Sequence, residues 1–135
     1  MSETNYIHEP KSSYGFQSYE DLLIWQKGML LVNEVYTVCE TLPKSEDYIL
    51  ASQIKRAAIS VPSNISEGWA RKSDKAFSNH LKIAFGSLHE VITQLQIINN
   101  LYSIDTLDTK SKCQELSKMI NGFIKHINTK QQSNS

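Results

Sequence analysis

From Phe77 to Tyr102, apolar residues recur without a break at Phe77, Leu81, Ala84, Leu88, Val91, Leu95, Ile98 and Tyr102. The steps alternate between four and three, which averages to the turn of an α-helix and puts every one of these side chains on one face. A strand, whose side chains alternate between two faces, cannot use this pattern. Ser73 stands before the run as an N-cap, with Asp74 in the first turn. About 28 residues at ~1.5 Å each predict a rod of roughly 42 Å. A helix that long, apolar along one side and polar along the other, requires partners to cover its apolar face.

The rest of the chain supplies them. A first helix is expected from Ser18, where Ser18 and Asp21 fit a capping box. Its leading stripe is Leu22, Trp25, Met29, Val32, Tyr36 and Cys39, and a second stripe holds Ile24, Leu31, Val35 and Val38. Pro43 ends it, because a proline disfavours helical geometry in the residue before it. A second helix is expected from Ser45, with Glu46 and Asp47 in its first turn and a stripe of Leu50, Ile54, Ala57, Val61 and Ile65. Pro62 falls inside that stripe. An interior proline removes a hydrogen bond, so the helix either ends near Ser60 or continues with a kink. Ile65 keeps the phase and favours the kink, with Gly68 as the stop. A fourth helix is expected from about Asp105, with a stripe of Cys113, Leu116, Ile120, Phe123 and Ile127.

Three prolines and five glycines are too few to punctuate an all-β domain. The expectation is an all-α fold: an antiparallel up-down-up-down four-helix bundle, its second helix kinked at Pro62. The bundle spans 18–128, between a flexible arm over 1–17 and a flexible tail over 129–135. The apolar excess of helices one and three is either a wide core face or a self-association surface. Gly86, which weakens the third helix, points to close approach by another helix. No apolar run is long enough to cross a membrane, and the N-terminus has no apolar core for a signal peptide. A cytoplasmic protein follows as the expectation.

Enzyme signatures are missing. No histidine follows a glutamate by three positions, as in metal-binding bundles, and no zinc-protease motif, phosphate loop or G-x-S-x-G occurs. Arg71 and His80, nine positions apart, do not match the closer Arg–His spacing of helical ribonucleases. Cys39 and Cys113 lie on apolar stripes, have no metal-binding spacing and read as buried thiols. No cofactor is implied. Polar residues nevertheless keep a helical period. The second helix carries Gln53, Arg56, Ser60, Asn64, Glu67 and Arg71, and the third carries Ser87, Glu90 and Gln94. These stripes can form a network that fixes helix register or a subunit contact, can be plain solvated faces, or can hold a ligand or RNA. Arg56 with Glu90, and Glu67 with Arg71, are the expected ion pairs.

The formal net charge is zero, 14 basic residues against 14 acidic, but the signs are segregated along the chain. Residues 1–54 hold three basic and eight acidic residues, whereas 55–82 hold six basic and two acidic. Residues 83–109 hold three acidic residues, and 110–135 hold five lysines and one glutamate. Arg71, Lys72 and Lys75 cluster between helices two and three. The fourth helix's lysines are expected at the opposite end, giving two basic ends rather than one continuous surface. A ring of subunits would multiply each patch, so that weak phosphate contacts add up.

The run Gln53-Ile-Lys-Arg-Ala-Ala-Ile-Ser-Val-Pro-Ser-Asn-Ile-Ser-Glu-Gly68, with Arg71, resembles a known family. So do Leu22-x-x-Trp25-Gln26-Lys27 and Ile83-Ala-Phe-Gly-Ser-Leu-His-Glu90 with Thr93-Gln94-Leu95. These look like the bacterial four-helix-bundle proteins encoded within intervening sequences of 23S ribosomal RNA genes. The resemblance covers roughly residues 18–127. It implies an up-down bundle assembled as a homopentamer, with no established catalytic activity. It also implies a distant kinship with the accessory variability proteins of diversity-generating retroelements, which are basic pentamers that bind RNA and a reverse transcriptase. This chain departs from them in being neutral. The expected function is a non-enzymatic, homo-oligomeric helical scaffold that binds a macromolecule, structured RNA first, with Arg71, Lys72 and Lys75 on phosphate. The alternative is a protein-interaction or assembly module without nucleic acid.

Overall fold

The computed structural model describes residues 18–133, and the expected arm over 1–17 lies outside them. Four helices carry the fold: α1 Leu23–Glu40, α2 Leu50–Ala70, α3 Asp74–Tyr102 and α4 Leu107–Ser133, with no strand among the described residues. It is an all-α bundle around one core. Val35, Ile54, Leu81, Leu88, Leu95 and Ile120, drawn from all four helices, are fully or almost fully buried.

The third helix follows its sequence pattern closely. Ser73 Oγ accepts from Ala76 N at 3.3 Å, Asp74 opens the first turn, and Phe77, Leu81, Ala84, Leu88, Val91, Leu95 and Ile98 are all buried. Ser103 ends α3 in the left-handed region (φ 55°), its N–H donating to Asn99 O. The α2 stripe is likewise buried from Ile54 to Ile65, and the helix runs unbroken through the buried Pro62.

The other helix starts differ from expectation. Ser18 Oγ accepts from Glu20 N, but it caps only a short 3-10 turn over Tyr19–Asp21. Leu22 is then extended, which turns its side chain into the core, and α1 begins at Leu23 with no side-chain cap. Ser45 also lies in a 3-10 turn, Lys44–Glu46, and α2 waits until Leu50. Glu46 accepts a hydrogen bond from the Tyr102 hydroxyl, which holds that turn against the end of α3 instead of in a first helical turn. At the far end, α4 continues to Ser133, beyond the expected limit of the bundle at 128. No proline or glycine follows Gly122 to stop it.

The face that α1 turns inward is the second stripe, not the first. Ile24, Gly28, Leu31, Val35 and Cys39 are buried, whereas Trp25 and Val32 are half-buried and Met29 and Tyr36 remain 45% and 41% exposed. Gly28 lies on this inner face against Pro62, and a Cβ there would meet the proline ring at 3.4 Å, an ordinary contact, so the approach of α1 to α2 does not depend on the glycine. Two other glycines also depart from their expected roles. Gly68 does not stop α2, which runs on to Ala70. Instead it is the place of closest approach to α3, since a Cβ would fall 2.6 Å from His80 Cβ and 3.1 Å from Phe77 Cδ1. Gly86 faces open space, with nothing within 4 Å of a Cβ, so it hosts no close helix within the subunit.

Candidate functional site: a polar seam and a basic end

The α2–α3 contact contains a hydrogen-bonded seam. Ser60 Oγ and Ser87 Oγ are 2.8 Å apart, and Asn64 Nδ2 donates to both Ser60 O and Ser60 Oγ at 2.9 Å. The Ser60 carbonyl can only accept, so the atom facing it must be the amide nitrogen. Asn64 Oδ1 is then left to accept from His80 Nδ1 at 3.0 Å. In this bond His80 Nδ1 is therefore the donor. The Ser60 hydroxyl already accepts from Asn64 and is free to donate to Ser87. All four side chains are half-buried. His80 is a member that sequence reasoning passed over. The signal was present, because His80, Ser87 and Gln94 are spaced by seven along α3.

The other residues of the two stripes separate. Gln53 and Arg56 are exposed, and Glu67 pairs with Arg71 at 3.4 Å in a contact more than half open to solvent. An ion pair of that kind contributes little. Arg56 and Glu90, expected to pair, are both exposed, and no ion pair joins them among the described residues. Glu90 instead accepts from Gln94 Nε2 at 3.2 Å, one turn on along the same helix. Gln94 is buried, and its Oε1 has no hydrogen-bond partner. A second inter-helix bond that sequence reasoning missed joins His89 Nε2 to Ser117 Oγ at 2.9 Å, between α3 and α4.

The basic residues follow a different logic. Arg71, Lys72 and Lys75 are all exposed at the α2–α3 turn. Lys72 adopts φ 53°, the left-handed position after a helix end that glycine usually fills, and this sharpens the turn. Lys130 Nζ lies 3.8 Å from Asp74 Oδ2, and Ser78 Oγ donates to Asn128 Oδ1 at 3.4 Å. The last turns of α4 therefore lie against the first turn of α3, beside the basic turn. The expectation that the end of the fourth helix lies opposite that turn is overturned: the contacts of Asp74 and Ser78 with Lys130 and Asn128 bring it beside the turn, and Lys125, on the same stretch of α4, is exposed. The earlier lysines of α4 stay at its start, Lys110 on Gln96 and Lys112 on Asp108 and Glu34.

Both thiols are buried. Burial pushes Cys113 up to about 12, with the Glu34 carboxylate adding to the effect. Burial also raises Cys39, against the pull of Lys55 and with a further push from Asp47. A thiol held protonated is a poor nucleophile. Among the described residues no group of three His, Cys, Asp or Glu side chains could hold a metal ion. No helix there is long and apolar enough to cross a membrane. On the opposite side of α2 from the seam, a cleft of about 310 Å³ opens between α1 and α2, its apolar walls edged by Ser63 and Ser66.

Fold and seam together define a four-helix protein in which half-buried polar side chains join helix to helix. The chain belongs to the 23S rRNA-intervening sequence protein family, whose model matches residues 20–122. A solved structure from Bacteroides thetaiotaomicron, a protein of unknown function from the S23 ribosomal protein family, has a similar fold. It superposes with a TM-score of 0.70 at 20% identity, covering 76% of this chain and 96% of that one. No curated protein matches the chain.

Proposed function

We propose that this chain is a non-enzymatic, cytoplasmic helical scaffold that assembles as a homo-oligomer, a pentamer, and binds structured RNA through its basic end. The observation that carries the reading is the meeting of Arg71, Lys72 and Lys75 with the last turns of α4, which bring Lys125 and Lys130 to the same end. Phosphate contacts of this kind are individually weak and salt-sensitive. Repeating the patch around a ring of subunits raises the effective concentration of each contact once the first has formed. The seam of Ser60, Asn64, His80 and Ser87 keeps α2 and α3 in register, so that the turn presents its cations in a fixed geometry. In this reading the helices run antiparallel, up-down-up-down, and Pro62 bends α2. The opposed numbering of the inter-helix contacts, Ser60 with Ser87 and Asn64 with His80, supports the first of these. The reading extends to a distant kinship with RNA-binding accessory proteins of retroelements.

The test is fluorescence anisotropy with a labelled structured RNA, at low and at moderate salt. Binding that weakens steeply with salt, and is lost when Arg71, Lys72 and Lys75 are changed to Gln, is the expected outcome. The same triple variant should keep the wild-type melting temperature, because these side chains are exposed. A second reading, a protein-interaction module, is favoured by the apolar surface that α1 and α2 leave open at Met29, Tyr36 and Ile59. Absence of RNA binding even at low salt would select it.

A further inference from the structure

Two surfaces of unlike shape stand open on the subunit. One is the concave cleft between α1 and α2, walled by Trp25, Met29, Val32, Ile59 and Pro62, with Met29 and Ile59 exposed to water. The other is a convex ridge on the outer side of α3, where Ile83 is 52% exposed and Ile97 is exposed as well. Glu90 stands midway between these two isoleucines, seven positions from each. Steps of seven keep nearly the same face of a helix, so the three side chains form one line. Exposed apolar surface of this extent is relieved when another apolar surface covers it.

Each surface also carries a charge without a counter-ion. Arg56 is exposed on α2 one turn before Ile59, and it joins no ion pair among the described residues. Glu90 is exposed and meets no cation there either. Its carboxylate accepts from Gln94 Nε2 at 3.2 Å, which orients it before any partner arrives. The spacings on the two helices agree. Ser63, on the edge of the cleft, is seven positions after Arg56, just as Ile83 and Ile97 are seven from Glu90. Seven residues cover roughly 10 Å on either helix. When α3 of one copy lies along α2 of another with Glu90 over Arg56, an isoleucine reaches the cleft whichever way the two helices run.

We propose that the ridge Ile83, Glu90 and Ile97 of one copy docks on the α1–α2 cleft of a second copy, with the Glu90 carboxylate on the Arg56 guanidinium. A guanidinium presents a planar fork that a carboxylate meets with two hydrogen bonds, so the pair fixes the register while the isoleucines supply the apolar contact. Ridge and cleft are different surfaces of one subunit, so the contact is head-to-tail. Each copy gives its ridge to one neighbour and its cleft to another, and such contacts form a ring where the rotation closes. The inference rests on the homo-oligomer of the proposed function and names the surface that builds it.

The test measures the mass of the full chain by light scattering after size exclusion, with helicity followed by circular dichroism. Glu90→Arg and Arg56→Glu, made singly, each set like charges against one another across the contact. Each is expected to reduce the assembly to the mass of one chain at unchanged helicity, because both residues are exposed. The chain carrying both substitutions pairs opposite charges again and is expected to regain the parent mass. Parent mass retained in both single variants would overturn the proposal and leave the oligomer to another surface. Loss of mass in the single variants without recovery in the double one would also defeat it, since the two charges then do not meet. A parent chain with the mass of one subunit would remove the oligomeric reading itself and the proposal with it.

Discussion

Helix α2 has two neighbours and meets them in different ways. Towards α3 the contact is closed: Gly68 admits the His80 and Phe77 side chains to within a distance that a methyl group would forbid, and four polar side chains bond across the gap. Towards α1, Gly28 faces Pro62 at a distance where a methyl group would make an ordinary contact, and Met29, Tyr36 and Ile59 stand partly in water. The difference teaches that a glycine is required only where a neighbour's Cβ comes nearer than a methyl group allows, as at Gly68 and not at Gly28. Apolar content alone does not close a contact, since part of the α1 stripe from Trp25 to Tyr36 remains in water.

The sharpest way to break this contrast is Gly68→Ala. A Cβ 2.6 Å from His80 Cβ cannot be accommodated without moving a helix. The variant should lose about 2–3 kcal/mol, at the upper end of overpacking costs, read as a lower midpoint in urea. An unchanged midpoint would mean the seam is not close-packed. Next comes Asn64→Ala, which deprives the His80 Nδ1–H and Ser60 of their shared partner. Half-buried groups left without a bond should cost about 1–2 kcal/mol, measured in the same way, and a loss under the error of the titration would make the seam incidental. Gly86→Ala works in the opposite direction. With open space around it, the change should stabilise α3 by about 1 kcal/mol through helix propensity. A fall in stability or in assembled mass would instead reveal another copy packed against that glycine. The smallest effect belongs to Gly28→Ala. Its new methyl would sit 3.4 Å from Pro62, an ordinary contact, so helix propensity should prevail and stabilise the chain slightly, by about 0.5 kcal/mol read from the urea midpoint, and a loss there would show that α1 cannot yield at this point.

The same contrast explains what could be read from the sequence. The third helix was the most legible, because Ser73 marks its start and its leading stripe runs buried from Phe77 to Ile98. The first helix was not. With two apolar stripes, periodicity identifies the helix but cannot say which stripe turns inward, because that depends on how the other helices pack against it. Gly68 and Gly86 look alike in sequence, and only the neighbouring helix distinguishes a packed glycine from an open one. In the polar stripes, Ser60, Asn64 and Ser87 were found by their period. The expected partners Arg56 and Glu90 were placed on the right helices but too far towards solvent to meet. Charge was read correctly along the chain, but the basic segments were assigned to opposite ends, because their meeting depends on tracing each helix's direction to its last residue.

That shared end has a consequence for a chain whose charges cancel. Arg71, Lys72, Lys75, Lys125 and Lys130 stand towards the end where α4 finishes, but Glu67 pairs with Arg71 there and Asp74 with Lys130. At the other end of α4 the signs are mixed in the same way, with Lys112 against both Asp108 and Glu34. Charges interleaved at this spacing cancel within the ~8 Å over which physiological salt screens them. The protein therefore casts almost no field at a distance. A polyanion reaching the basic end must exchange carboxylates for phosphates contact by contact, so recognition there is decided at touching range and not on approach.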